Sequence, residues 1–83
     1  MGGGTRNVTL KQLRALLSCY GWVHSVSGRG GHESWTHPGT GVKCSLIAHQ
    51  RQQGAMVASH VLQAMERAGT PRAEVRKWLA ECS

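Results

Sequence analysis

The spacing of apolar residues changes abruptly at Gly21, and this change restricts the chain to a fold that mixes helix and strand. Before it, four leucines within residues 10–17 recur at helical spacing, and Thr9 with Gln12 can form a capping box at the start of that helix. Gly21 stands where a helix commonly ends on a left-handed residue. After it the pattern is that of short strands separated by glycine-rich breakers.

Three strands are predicted, over 22–26, 32–36 and 42–48. The segments between them are short, which favours an antiparallel meander. Alternation along the third strand predicts one half-buried face made of Val42, Cys44, Leu46 and Ala48.

Two further helices follow the strands. The first has an apolar stripe of Met56 or Val57, Val61, Met65 and Ala68, and it stops at Gly69. The second is predicted to start with Thr70 as cap and Pro71 as first helical residue, with an apolar face of Val75, Trp78, Leu79 and Cys82. We therefore expect an α+β fold: a disordered leader over 1–7, an α-β-β-β-α body over 8–69 with its helices on one face of the sheet, and an appended helix over 70–83.

Basic residues dominate the charge of the chain and lie mainly in its body. Ten Lys and Arg oppose four Glu, for a net charge of +6. Residues 1–65 carry six of these bases against Glu33 alone, a net of +5. Such an excess attracts polyanions, usually RNA or DNA, although plain solubility explains it equally well. Aspartate is absent, which argues against paired-carboxylate chemistry and two-metal nucleases.

Other classes of protein fit the sequence poorly. Three irregularly spaced cysteines do not form a disulfide framework, and no apolar run reaches the ~18–20 residues of a membrane span. The start lacks the apolar stretch of a secretory signal, so we expect a soluble, cytoplasmic chain. No metal or cofactor is expected, because none of the donors has the spacing of a known zinc knuckle; these donors are His32, His37, Cys44, His49 and His60.

The glycine-rich segment before the second strand carries the candidate chemistry. In it His32 offers a general acid or base, Arg29 a forked phosphate donor, and Gly30 and Gly31 allow the backbone to approach a ligand. Taken alone, the segment fits a flexible loop with a solvated histidine better. His49 could supply a second proton-transfer or phosphate-binding group if the third strand runs beside the second.

Tryptophans of the strands have two interpretations. A Trp on a thin sheet either fills the core or serves as a platform on which bases stack. We assign Trp22 to the core, and we leave both possibilities open for Trp35.

Four sequence segments, taken in order, resemble the HicA (YcfA-like) toxin family: 10–20, 21–22, 29–32 and 35–38. They correspond to its first helix, a Gly-Trp pair, a Gly-Ser-His-His loop, and an aromatic residue followed by His-Pro. A strand ending in His49 and a helix that stops at Gly69 also match, so the resemblance covers about residues 9–69.

The resemblance implies a fold like that of a double-stranded-RNA-binding domain, and a metal-independent mRNA endonuclease whose active site a HicB-like antitoxin covers. His32 occupies the position of the catalytic histidine and Gly30 that of the motif glycine. Gly31 stands where serine is usual and Glu33 where the second histidine is usual. If close to His32, the Glu33 carboxylate would raise the histidine pKa or orient its ring, and would repel phosphate.

Three hypotheses follow for the function. In the first, His32 is the general acid/base of RNA cleavage, and the RNA-binding residues are Arg29, Gly30, Gly31, Lys43, His49 and Arg51. In the second, an attenuated or non-catalytic module of the same fold binds RNA without cleaving it. In the third, the basic surface docks an acidic partner protein.

Overall fold

Eight secondary-structure elements follow one another in residues 8–26 and 31–82, the parts of the chain that this computed structural model describes. In order they are β1 (Val8–Thr9), α1 (Leu10–Cys19), β2 (Val23–Val26), β3 (His32–Thr36), β4 (Lys43–Ile47), β5 (Gln52–Gln53), α2 (Ala55–Arg67) and α3 (Arg72–Cys82). The prediction of an α+β domain is confirmed. The predicted leader lies outside the described residues, and no helix within them is long and apolar enough to cross a membrane.

The first helix starts and stops where its sequence signals predict. The Thr9 hydroxyl accepts from the Gln12 N–H at 3.1 Å, and the Gln12 side chain accepts from the Thr9 N–H at 2.9 Å, which completes the capping box. Gly21 follows the last turn with φ of +82°, a value that favours glycine. The chain then turns directly into β2, with the Trp22 N–H bonded to the Leu17 carbonyl at 2.9 Å.

β2, β3 and β4 form the predicted antiparallel meander, in the order β2-β3-β4. β3 has its predicted bounds. β2 starts one residue later than expected, and β4 is one residue shorter at each end than the predicted 42–48. The register pairs His32 with Ile47 at one end of β3 and Thr36 with Lys43 at the other.

Side chains alternate between the two faces of this sheet. Along β3 the buried Glu33 and Trp35 face the helices, whereas His32, the first residue of the strand, is exposed on the other face. On β4 Leu46 is fully buried and Ser45 is exposed. One face therefore holds the core, and the other is an open, mostly polar surface.

The core lies between that inner face and the helices α1 and α2, and α3 packs against these two helices. The strand region supplies Trp22, Trp35 of β3 and Leu46 of β4. The helices supply Leu10, Leu13, Leu16 and Leu17 of α1, Val61, Ala64 and Met65 of α2, and Val75 of α3. Because Val75 is fully buried, α3 enlarges the thin core of the body. One detail differs from prediction, because α3 begins at Arg72, after Pro71. Of the two residues proposed for the stripe of α2, Val57 packs against the core and Met56 is 73% exposed.

A second, two-stranded sheet was not predicted. Val8 pairs with Gln53 and Thr9 with Gln52, and the Leu10 N–H donates to the Arg51 carbonyl at 2.7 Å. Strands of two residues carry no periodic signal, so no strand was predicted in the polar stretch 49–53.

Gln53 anchors this small sheet to the edge of β4. Its side chain is fully buried; its amide oxygen accepts from the Ile47 N–H at 2.8 Å, and its amide nitrogen donates to the Ile47 carbonyl at 3.0 Å. The same nitrogen donates to the Gln50 carbonyl at 2.7 Å. The glutamine thus acts like a short extra strand, satisfying backbone groups that would otherwise be left without partners at this end of β4.

Candidate functional site

His32 is the first residue of β3, and its side chain lies exposed on the open face of the sheet. Gly31, immediately before it, has φ of +92°, and its carbonyl accepts from the Ala48 N–H at 2.7 Å. This bond continues the β3–β4 ladder past the strand ends. It holds the backbone before His32 against the segment that follows β4.

His49 lies directly against Gly31. A β-carbon placed on Gly31 would stand 3.0 Å from Nδ1 of His49, so the ring occupies the space that glycine leaves free. The pairing of β3 with β4, on which a role for His49 depends, is confirmed. The structure therefore brings His49 to the residue that precedes His32, and both imidazoles are exposed to solvent.

An open groove of about 550 Å³ runs beside His49. One wall is the first turns of α1, and the other is the segment between β4 and β5. Its lining residues are Thr9, Leu10, Lys11, Arg14, Ala48, His49, Gln50 and Arg51. Two predicted site residues, His49 and Arg51, thus meet two cations of α1 that the sequence analysis left out of the site, and no acidic residue lines the groove.

The other predicted RNA-binding residues are placed differently. Lys43 shares the open face with His32, but it pairs with Thr36 at the far end of β3. His32 and Thr36 are four positions apart on β3, a distance of about 13 Å. Arg29 and Gly30 lie outside the described residues.

Glu33 is turned away from His32. Neighbouring strand residues point to opposite faces, so the Glu33 carboxylate lies on the helix side of the sheet while His32 lies on the open side. There it is buried and accepts three hydrogen bonds from Arg14, one from Nη2 and two from Nε, which lies 3.1 Å from Oε1 and 3.0 Å from Oε2. The alternation within 32–36 was a sufficient signal for this, and the concern that Glu33 would repel phosphate at His32 does not apply.

The buried Glu33 carboxylate is the centre of a polar cluster. Besides Arg14, the indole nitrogen of Trp35 donates to its carboxylate at 3.1 Å, and Nε2 of His24 lies 3.8 Å from it. The hydrogen bond from Arg14 lowers the pKa of Glu33 and outweighs burial, which acts in the opposite sense. Trp35 itself is 5% exposed and stacks on the His24 ring, so it belongs to the core and offers no platform to a base.

Trp22 and His37 meet at the other end of the sheet. Trp22 is buried as predicted, and the His37 ring lies edge-on to it with centroids 5.4 Å apart. Nδ1 of His37 accepts from the Thr40 N–H at 3.2 Å, within the turn that joins β3 to β4. His37 therefore shapes the turn, as expected, and lies away from the groove.

Metal-binding residues do not converge in the described parts of the chain. Within 8–26 and 31–82, no three His, Cys, Asp or Glu side chains come together as they would around a metal ion. Burial raises the pKa of Cys44 to about 11, so its thiol stays protonated near neutral pH and is a poor nucleophile and metal ligand.

Replacing Gly31 by alanine tests the contact with His49. Two effects are expected: strain from the positive φ, about 1–2 kcal/mol, and displacement of the His49 ring. Gly21→Ala is the matched control, because Gly21 has φ of +82° with nothing within 4 Å of an added β-carbon. Urea unfolding should show Gly31→Ala to be the more destabilised of the two. Equal losses would mean that the ring contact has no energetic weight.

Comparison with known proteins gives no match: no family model, no curated protein and no solved structure is similar to this chain.

Proposed function

We propose that this chain is a metal-independent endoribonuclease that cleaves mRNA as the toxin of a toxin–antitoxin pair, with His32 as a general acid/base. One observation carries the proposal: two exposed histidines, His32 and His49, are brought to Gly31 beside a groove lined by cations. This arrangement contains the groups that RNA cleavage without a metal requires.

The proposed reaction uses the 2′-hydroxyl of the RNA as nucleophile. A neutral imidazole takes the proton of that hydroxyl, the 2′-oxygen forms a bond to phosphorus, and the bond from phosphorus to the 5′-oxygen breaks. A protonated imidazole then gives a proton to the departing 5′-oxygen. The products are a 2′,3′-cyclic phosphate and a 5′-hydroxyl, so atoms and charge balance without any other reactant.

The surroundings of the two histidines favour this chemistry. Negative charge builds up on the phosphate oxygens during the reaction, and fixed cations stabilise it most where acids are absent. Glu33, the only acidic residue in the sequence up to residue 65, is buried on the face of the sheet opposite His32 and is paired with Arg14, while no acidic residue lines the groove itself. The phosphate would therefore meet Arg51 and Lys11 without a competing carboxylate.

The order of the elements also supports an RNA-binding role. The series α1-β2-β3-β4-α2 has the α-β-β-β-α order of double-stranded-RNA-binding domains, and we propose that topology for the body of this protein. The sheet of β1 and β5 and the helix α3 are additions to it. A HicB-like antitoxin that covers His32 is the protein partner we propose.

The direct test is RNA cleavage in the presence of EDTA. Purified protein should cleave an mRNA and leave 2′,3′-cyclic phosphate ends, because the mechanism needs no metal. A matched RNA with a single 2′-deoxynucleotide at the mapped cleavage position should stay intact, since it lacks the nucleophile. No cleavage by the wild type, or equal cleavage of both substrates, would contradict the proposal.

A non-catalytic RNA-binding module is the alternative. It is supported by the groove, because His32 does not line it and its cations can bind phosphate without that side chain. In that case RNA would be recovered intact, its affinity would fall steeply with salt, and His32→Ala would bind as tightly as the wild type. A His32→Ala protein that retains affinity but loses cleavage would instead support the nuclease.

A further inference from the structure

We propose that the groove between α1 and the β4–β5 segment binds the sugar–phosphate backbone of a single RNA strand, with Lys11 and Arg51 each binding one phosphate. This inference rests on the proposed function and extends it, since it names the form of the substrate and a binding residue, Lys11, that was not among the predicted RNA-binding residues.

The charges of the groove are available to a ligand. Lys11 and Arg51 are exposed, and neither has an ion pair with any residue of the described chain. Arg14 is different, because Glu33 occupies its Nε and Nη2 and neutralises its charge. Lys11 and Arg51 therefore supply the net positive charge of the groove.

The two cations belong to separate elements that the backbone holds together. The Leu10 N–H donates to the Arg51 carbonyl at 2.7 Å, and the pairing of Thr9 with Gln52 continues the contact. Lys11 and Arg51 thus line one groove whose two walls are joined by backbone hydrogen bonds. Such preorganisation lowers the entropy lost when two adjacent phosphates bind.

The size of the groove favours one strand over two. A volume of about 550 Å³ lies within the range of small-molecule sites and can hold roughly two nucleotides of one strand. Positively charged grooves that follow the backbone are the usual means of binding single strands. His49 lines the groove and lies against Gly31, so the groove ends at the residue that precedes His32.

The test measures binding apart from cleavage. The probe is a short labelled 2′-O-methyl RNA, which lacks the nucleophilic hydroxyl, and its affinity is measured by fluorescence anisotropy over a range of salt concentrations. For two lost phosphate contacts, Lys11→Gln with Arg51→Gln should reduce the slope of log K against log salt by about 1.4. Between about 50 and 200 mM salt the wild type should thus lose about sevenfold more affinity than the variant.

The control is Arg76→Gln with Lys77→Gln, which removes the same charge from exposed positions on α3 and should leave the slope nearly unchanged. Equal slopes for the two double variants would overturn the inference, as would tighter binding of a duplex than of its single strand. If the groove variant weakens binding while the wild type cleaves nothing, the RNA-binding role of the groove is supported and the nuclease proposal is contradicted. If cleavage occurs and the groove variants bind normally, the nuclease stands and the groove fails.

Discussion

His32→Ala is expected to lower the rate of RNA cleavage by about 10²–10⁴-fold, the usual contribution of a positioned general acid or base. The side chain is exposed on the open face of the sheet, so its loss should hardly change stability. Single-turnover cleavage with enzyme in excess measures the chemical step. Expression of the wild type should also arrest growth, and His32→Ala should relieve the arrest.

His60→Ala is the matched control, because His60 is an exposed histidine on α2 outside the groove. It should cleave at the wild-type rate, and comparison of the two variants also detects contaminating ribonuclease. If His32→Ala cleaves as fast as His60→Ala, the assignment of His32 is wrong. His49→Ala should alter one limb of the pH–rate profile if His49 is the partner in proton transfer.

Arg14→Ala is expected to lower the free energy of unfolding by about 2–3 kcal/mol. Removing one partner of a fully buried ion pair costs about 3–5 kcal/mol, and the value here is smaller because the Arg14 side chain is 47% exposed. The Glu33 carboxylate would keep the Trp35 indole as a donor but lose the guanidinium. Urea unfolding at neutral pH measures the loss.

The loss should depend on pH in a defined direction. The pKa of Glu33 is lowered in the folded state, chiefly by its hydrogen bond from Arg14, so the pair contributes fully above the unfolded pKa of about 4.3. As pH falls from there through the folded pKa, protonation of Glu33 removes the contribution. The difference in stability between the wild type and Arg14→Ala should therefore shrink below about pH 4.

Arg72→Ala provides the comparison, because its pair with Glu66 is exposed on both sides and should contribute only about 0–1 kcal/mol. Equal losses from Arg14→Ala and Arg72→Ala would show that the buried position of Glu33 does not matter to stability.

Most of the fold could be predicted because its elements carry strong local signals. The capping box at Thr9, the positive-φ glycine at Gly21 and the alternation in 32–36 each act over a few residues, and the structure has each element within a residue of its predicted bounds. The β1–β5 sheet could not be predicted. Its two strands are joined only by contacts between residues more than forty positions apart, such as Val8 with Gln53.

The candidate site divides in the same way. The sequence pointed to His32 through its glycine-rich segment, and to His49 through the expected pairing of two strands. It could not place Lys11 beside Arg51, because only the β1–β5 sheet brings α1 to that segment. The sequence also suggested that the Glu33 carboxylate would act on His32 if the two were close. The alternation of strand side chains places them on opposite faces of the sheet.

By itself the sequence determined the kinds and order of the elements, the basic charge of the body, and the presence of an accessible histidine after two glycines. Only the tertiary structure decided which cations line one groove and which of them pairs with the buried Glu33. The physical reason is that helix and strand signals are local, whereas a groove or a buried ion pair forms between segments far apart in the chain. Their meeting depends on how the core packs.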